Sequence, residues 1–213
     1  MRAPSRDEVE ASRGESLAQG SALKPAVFLV RGREGTCVVK DARSTALLWR
    51  PFARALLRRE ERVLVRLDGL EGVPRLLGRV DADAIAMTLV EGRPLSHETA
   101  REASGDFFER LERLVDAIHA RGVVHLDLRQ KRNVLVGKDG LPRVIDFGAA
   151  LSPPPPLALA LRAIDRTAAL KFRLKYRPAT VPAQARARHR RFERVRRLWF
   201  VSRMRRRRPG ERA

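Results

Sequence analysis

Apolar and polar positions change period several times along this chain, and each change marks an element. Residues 27–40 alternate around the turn Arg-Gly-Arg-Glu-Gly and end in the β-branched run Thr36, Cys37, Val38, Val39, Lys40, which predicts a β-hairpin. Pro51 can open a helix, and Leu56, Leu57, Glu60, Leu64 and Leu67 then follow at helical spacing, which predicts a helix over 51–67. Strands are expected near 76–80 and 85–90, with 92–94 as a linker. Phe107, Leu111, Leu114, Val115 and Ile118 mark an amphipathic helix, with Asp106 or Ser104 as its cap and Gly122 at its end. The apolar run Gly122, Val123, Val124 leads into a loop. Two short strands follow, at 134–136 and at Val144 and Ile145, around the turn Lys138, Asp139, Gly140. Pro153 to Pro156 predict a stiff extended spacer, and 157–176 a last helix before Pro178.

At 213 residues this is one domain or one small two-lobed unit, and a hydrophobic fraction of 44% suffices for a core. Cys37 is the only cysteine, so no intrachain disulfide is possible and a reducing cytoplasm is expected. No apolar run follows the first residues, so no signal peptide is visible, and no stretch approaches the roughly 20 apolar residues of a spanning helix. The net charge of +20 predicts anionic partners, with nucleotide, phospholipid and nucleic acid as candidates. Nucleic acid ranks lowest, because no recognised module or stacking platform accompanies the charge. Residues 1–24 are polar and read as a tail that could hold a degenerate first strand. Residues 183–208 carry twelve arginines against the single acid Glu193, with Phe192, Val195 and Trp199 three and four apart. That pattern predicts a basic amphipathic segment over 183–213, suited to the cytoplasmic face of an anionic membrane, with a solvated tail or a helix packed on the C-lobe as the alternatives.

Charged residues in apolar contexts narrow the chemistry. Glu60 shares a helix face with Leu56 and Leu64, and a lone inward carboxylate is costly without a partner. Lys40, one of only six lysines, is the natural one, with Glu61 the alternative if the register slips. Residues 125–133 read His-Leu-Asp-Leu-Arg-Gln-Lys-Arg-Asn, and Asp146-Phe147-Gly148 follows after the second short strand. Asp127, Asn133 and Asp146 would thus meet across a hairpin. Two carboxylates and an amide can hold a divalent metal and orient a hydroxyl, which is the equipment of phosphoryl transfer.

These motifs resemble the catalytic and metal-binding loops of the protein-kinase-like superfamily. The resemblance spans about residues 25–180. In detail it is similar to small bacterial serine/threonine-kinase-like proteins near the lipopolysaccharide core sugar kinases. It implies a compact two-lobed α+β fold, with a small antiparallel-sheet N-lobe over 25–92 and a reduced helical C-lobe over 93–182. It further implies Asp127 as catalytic base and Asn133 and Asp146 as Mg²⁺ ligands. Lys40, held by Glu60, would orient the α- and β-phosphates of ATP. Met87 would back the adenine pocket, the backbones of Thr88 and Val90 would bond the adenine, and Arg129 or Lys131 would neutralise the transferring group. By the same resemblance Asp165 holds the catalytic loop from below and His125 packs beneath it, while His119 is a structural residue with no evident partner.

The chain departs from the family pattern at four points. Five residues separate Asp127 from Asn133 where the family has four, which would put Arg132 in the asparagine position. Asn133 directly precedes the strand, however, so the extra residue reads as a bulge. Leu126 stands where many relatives have Arg. There is no Gly-x-Gly-x-x-Gly, and the usual activation segment is missing. The expected activity is transfer of the γ-phosphoryl group of ATP to a protein Ser/Thr or a lipid-linked sugar hydroxyl. The alternative is a pseudokinase or membrane-docked adaptor.

Overall fold

The structure, a computed structural model, describes residues 1–21, 24–32, 35–187 and 190. The basic segment expected over 183–213 therefore lies, apart from 183–187 and 190, outside the described residues.

The amino-terminal lobe is a five-stranded sheet. Strands β1 (Arg13–Ala18), β2 (Ala26–Gly32), β3 (Gly35–Asp41), β4 (Leu76–Arg79) and β5 (Ala84–Thr88) lie in the order β1-β2-β3-β5-β4, and every neighbouring pair is antiparallel. The period of two sorts β3 between two cores. Val38 joins Ile85 and Met87 under helix α2 (Arg50–Arg66), whereas Cys37 and Val39 join Phe28, Val30 and Ala86 on the other face. On α2 the buried residues are Ala53, Leu57, Glu60, Val63 and Leu64, an inward stripe at helical spacing that includes one carboxylate.

Residues 1–24 hold more structure than a polar tail. Helix α1 (Arg6–Ala11) starts at a capping box: the Ser5 hydroxyl accepts from the Glu8 N–H, and the Glu8 carboxylate accepts from the Ser5 N–H at 2.6 Å. Val9 is buried on the outer face of the sheet, and Arg6 bridges Asp41 and Asp81. β1 exposes every side chain and is held through its pairing with β2. One buried valine and an edge strand with every side chain exposed leave no periodic signal.

The linker lies at 89–92 rather than 92–94, because Arg93 and Pro94 form a short strand, β6 (Arg93–Pro94), which pairs with β7 (Val134–Val136), and β7 pairs with β8 (Pro142–Val144). Helices α3 (His97–Glu102), α4 (Phe107–Ala120) and α5 (Pro155–Tyr176) complete this lobe. α4 ends at Gly122, whose φ of 73° is the left-handed conformation that closes a helix. Asp106 precedes α4 as expected, but its carboxylate bonds Arg110 at 2.6 Å rather than capping the backbone. The proline run is only half a spacer: Pro155 and Pro156 form the first turn of α5, where the missing N–H groups cost nothing. One continuous core runs from Val38 and Leu64 through Leu95 and Phe107 to Val144 and Phe172, so the lobes are packed as a unit. Among the described residues no helix is long and apolar enough to cross a membrane.

Candidate active site

Three polar side chains meet where the lobes face one another. Lys40, near the end of β3, donates to Glu60 at 2.7 Å and to Asp146 at 2.8 Å. Lys40 and Glu60 are both buried. Burial opposes the charge on Lys40, but the two carboxylates outweigh it and hold its pKa well above the usual value. Burial also pushes the Asp146 carboxyl up; the Lys40 charge and hydrogen bond win and keep it below the usual carboxylate range. Glu61 is not the partner, because it forms an ion pair with Arg79 on the other side of the helix.

The loop 125–133 hangs from α5. Asp165 is 1% exposed, and its carboxylate accepts the His125 N–H at 2.7 Å and the Leu126 N–H at 2.9 Å. His119 Nε2 lies 3.1 Å from the same carboxylate, so this histidine, thought to lack a partner, has one. Leu126 has a φ of 66°, a strained left-handed conformation that persists only under such constraint. His125 joins the two loops: its Nε2 donates to the Ile145 carbonyl at 3.0 Å, leaving Nδ1 to face the Asp127 N–H at 3.3 Å. The Phe147 ring packs against it with centroids 4.8 Å apart.

The extra residue between Asp127 and Asn133 is absorbed in tight turns. Gln130 N–H donates to the Asp127 carbonyl, and Asn133 N–H donates to the Gln130 carbonyl, across the short 3-10 turn Lys131–Asn133. This leaves Arg132 exposed and buries Asn133. The Asn133 amide nitrogen donates to Asp127 Oδ2 at 3.2 Å and to the Asp127 carbonyl at 3.1 Å. Its nitrogen so committed, Asn133 retains the amide oxygen, the atom a hard cation takes. Asp146, also at a positive φ of 64°, has its side chain 45% exposed. Among the described residues no three His, Cys, Asp or Glu cluster as a self-sufficient metal cage. One carboxylate and one amide oxygen instead suit Mg²⁺, which keeps water and takes substrate phosphates as its remaining ligands. Arg129 is half-buried and Lys131 exposed, both in the loop beyond Asp127.

Met87 is buried in β5, paired with Val38 of β3. The Thr88 N–H is spent on the Arg75 carbonyl at 2.9 Å, so its carbonyl is the group left for a base. Val90 is half-buried in the linker. A depression of about 390 Å³ touches Thr88 and Val90 but is otherwise lined by Gly72, Lys138, Asp139 and Arg143, away from Lys40 and Asp146. It is behind the linker and separate from the charged cluster.

Arg59 was not singled out by its sequence context. It precedes Glu60 on α2, and its guanidinium donates to the Gly148 carbonyl at 2.5 Å, fastening the helix to the loop that carries Asp146. Its place at the edge of the inward stripe was the available signal. A side chain at Gly148 would put its Cβ 3.3 Å from Asp146 Oδ1 and 3.8 Å from Lys40 Nζ, so the backbone must pass close to the cluster here.

Comparisons with known proteins bear on the family and the fold. Residues 33–181 match the family described as RIO domain. The fold is similar to that of a solved Rio2 kinase–ADP/Mg²⁺–phosphoaspartate complex from Chaetomium thermophilum, with a TM-score of 0.58, 20% identity, and coverage of 81% of this chain and 57% of that one. A curated relative, Probable SapB synthase of Streptomyces coelicolor, is 35% identical over 58% of this chain, which spans only 16% of that protein. The order of Lys40, Glu60, Asp127, Asn133 and Asp146 along the chain and the match over most of it lead to one conclusion: the chain belongs to the RIO-domain family, within the protein-kinase-like superfamily.

Proposed function

We propose that the chain is an ATP- and Mg²⁺-dependent phosphotransferase acting on a hydroxyl acceptor, a protein Ser/Thr or a lipid-linked sugar. The observation that carries this reading is the Lys40 ammonium shared between Glu60 and Asp146 at 2.7 and 2.8 Å. A buried lysine fixed by a helix carboxylate is placed to meet the α- and β-phosphates, and it ties the metal-loop aspartate to the same point. Asp146 and Asn133 would hold Mg²⁺, which supplies charge neutralisation at the phosphates. Asp127, aligned by the Asn133 amide, accepts the acceptor's proton. Arg129 and Lys131 offer positive charge for the transferring group. The Thr88 carbonyl and the Val90 backbone bond the adenine, with Met87 behind it. The net charge of +20 and the arginines of 183–208 support an acceptor presented at an anionic surface.

A pseudokinase reading draws on three departures from the family pattern: the extra residue between Asp127 and Asn133, the lack of a Gly-x-Gly-x-x-Gly to wrap the phosphates, and the missing activation segment. The deciding experiment incubates the chain with γ-labelled ATP and cell extract, then separates protein from glycolipid. Label in either fraction that depends on Mg²⁺ and is lost in Asp146→Asn supports transfer and names the acceptor class. Nucleotide binding without label in either fraction would leave the pseudokinase.

A further inference from the structure

The approach to α2 exposes an apolar knob that the proposed chemistry does not use. Leu47, Leu48, Trp49 and Phe52 are 77%, 84%, 46% and 54% exposed. A helix entry in water is ordinarily polar, yet Trp49 stands at the cap position and bonds nothing with its side chain. Four large apolar side chains within six consecutive positions form a patch rather than scattered exposure. Exposures this high describe a projection, not the floor of a groove.

The surroundings are cationic. Residues 42–59 contain five arginines and no acid. Arg43 and Arg54 are engaged with Glu10, Asp81 and Asp83, and Arg59 with Gly148. Arg58, Arg62 and Arg66 are exposed at four-residue intervals, so they stripe one side of α2. Phe52, Ala55 and the 59%-exposed Val65 share that side, whereas Glu60 faces inward to Lys40. The outer side of α2 thus presents an apolar tip followed by a row of positive charges.

We infer that this surface docks on an anionic phospholipid bilayer. Leu47, Leu48 and Trp49 enter the headgroup–acyl boundary, and Arg58, Arg62 and Arg66 lie against the phosphates. A projecting tip suits a fluid apolar medium, which needs no complementary pocket. The Trp ring suits the interface because its body is apolar and its N–H remains wet. Each arginine near the surface adds attraction to anionic headgroups, which favours a charged leaflet over a neutral one. The contact uses residues other than those of the basic segment 183–208. It adds a membrane-facing orientation to the proposed kinase, because α2 can be held from outside while its inner face keeps Glu60 on Lys40.

The test uses the full chain and vesicles of phosphatidylcholine with or without phosphatidylglycerol. A Trp199→Phe background makes Trp49 the sole tryptophan. Its emission should shift to the blue on the anionic vesicles alone. Replacing Leu47, Leu48 and Trp49 together by Ser should weaken sedimentation with those vesicles by about tenfold or more. An unchanged thermal melt and unchanged Mg²⁺–ATP binding confirm that the variant is folded. Arg58→Glu with Arg62→Glu should weaken it further at low salt. Equal sedimentation of the Ser variant, or no shift at Trp49, overturns the inference and leaves any binding to the basic segment. Protection of Trp49 from a water-soluble quencher without vesicles also overturns it, because another part of the chain or a second copy then covers the knob. None of these readouts requires phosphoryl transfer, so a chain without kinase activity would fail the proposed function and leave this inference standing.

Discussion

Leu126 and Asp146 both hold left-handed backbone conformations, at φ of 66° and 64°, and each is restrained by a named side chain. For Leu126 that side chain is Asp165, which accepts two loop N–H groups and faces His119 while almost wholly buried. Asp165→Ala would strand all three donors. It should destabilise the chain by about 3–5 kcal/mol, the scale for removing one partner of a buried charged network. Urea unfolding measures this, and a loss below about 1 kcal/mol would mean that the loop is held elsewhere. The Asp127–Asn133 pair makes a second prediction. Asn133→Ala should raise the Mg²⁺ concentration needed for turnover, whereas Arg132→Ala should leave it unchanged; the opposite ranking would return the loop to ordinary spacing with a defective metal site. Lys40 and Asp146 were legible in the sequence, because a lysine closing a β-branched run and an aspartate after a short strand are local patterns. The partner of His119 was not, since it arrives from a helix 46 residues away.

At the scale of elements, α2 acts as a strut between the sheet and the loop that carries Asp146. Glu60 reaches Lys40, and one residue earlier Arg59 reaches the Gly148 carbonyl. Arg59→Leu should release the metal loop and lower turnover by roughly 10- to 100-fold, the worth of a charged hydrogen bond of about 1.5–3 kcal/mol. The Mg²⁺ requirement should rise with it, and Arg59→Lys should recover part of both. A mere fold defect would lower the thermal midpoint without moving the Mg²⁺ requirement. Arg54 ties the same helix to Asp83, just before β5, through two bonds of 2.6 and 2.9 Å. The Arg54 hydrogen bond holds the Asp83 carboxyl below its usual pKa. A depressed folded pKa stabilises above the unfolded value, near 4, and that stabilisation fades as pH falls through the folded value. The stability lost in Arg54→Met should therefore be full at neutral pH and shrink in acid. A loss independent of pH would mean that the pair contributes packing only. The helical period of α2 already placed Glu60 on the inward stripe, and the packing against β3 shows that the register does not slip to Glu61.

On the scale of the molecule, two cores divide the labour. The large one joins both lobes, and the small one lies between the outer face of the sheet and α1. Deleting residues 1–18 should uncover Phe28, Val39 and Ala86, increase the binding of an apolar dye and lower the thermal midpoint. An unchanged midpoint would reduce α1 to an ornament. Periodicity, turn residues and spacing determined by themselves that this chain builds a hairpin ending in Lys40, a helix bearing an inward carboxylate, and two loops carrying Asp127 and Asp146. Those are local properties: each depends on backbone preference and on side chains within a turn or a strand of one another. Tertiary structure alone decided that the bulged loop buries Asn133, that Asp165 gathers three donors, that Arg59 holds Gly148, and that Leu47, Leu48 and Trp49 stay outside the core. Apolar character alone does not bury a side chain: it is buried only if another surface arrives to cover it, and that depends on contacts far apart in sequence.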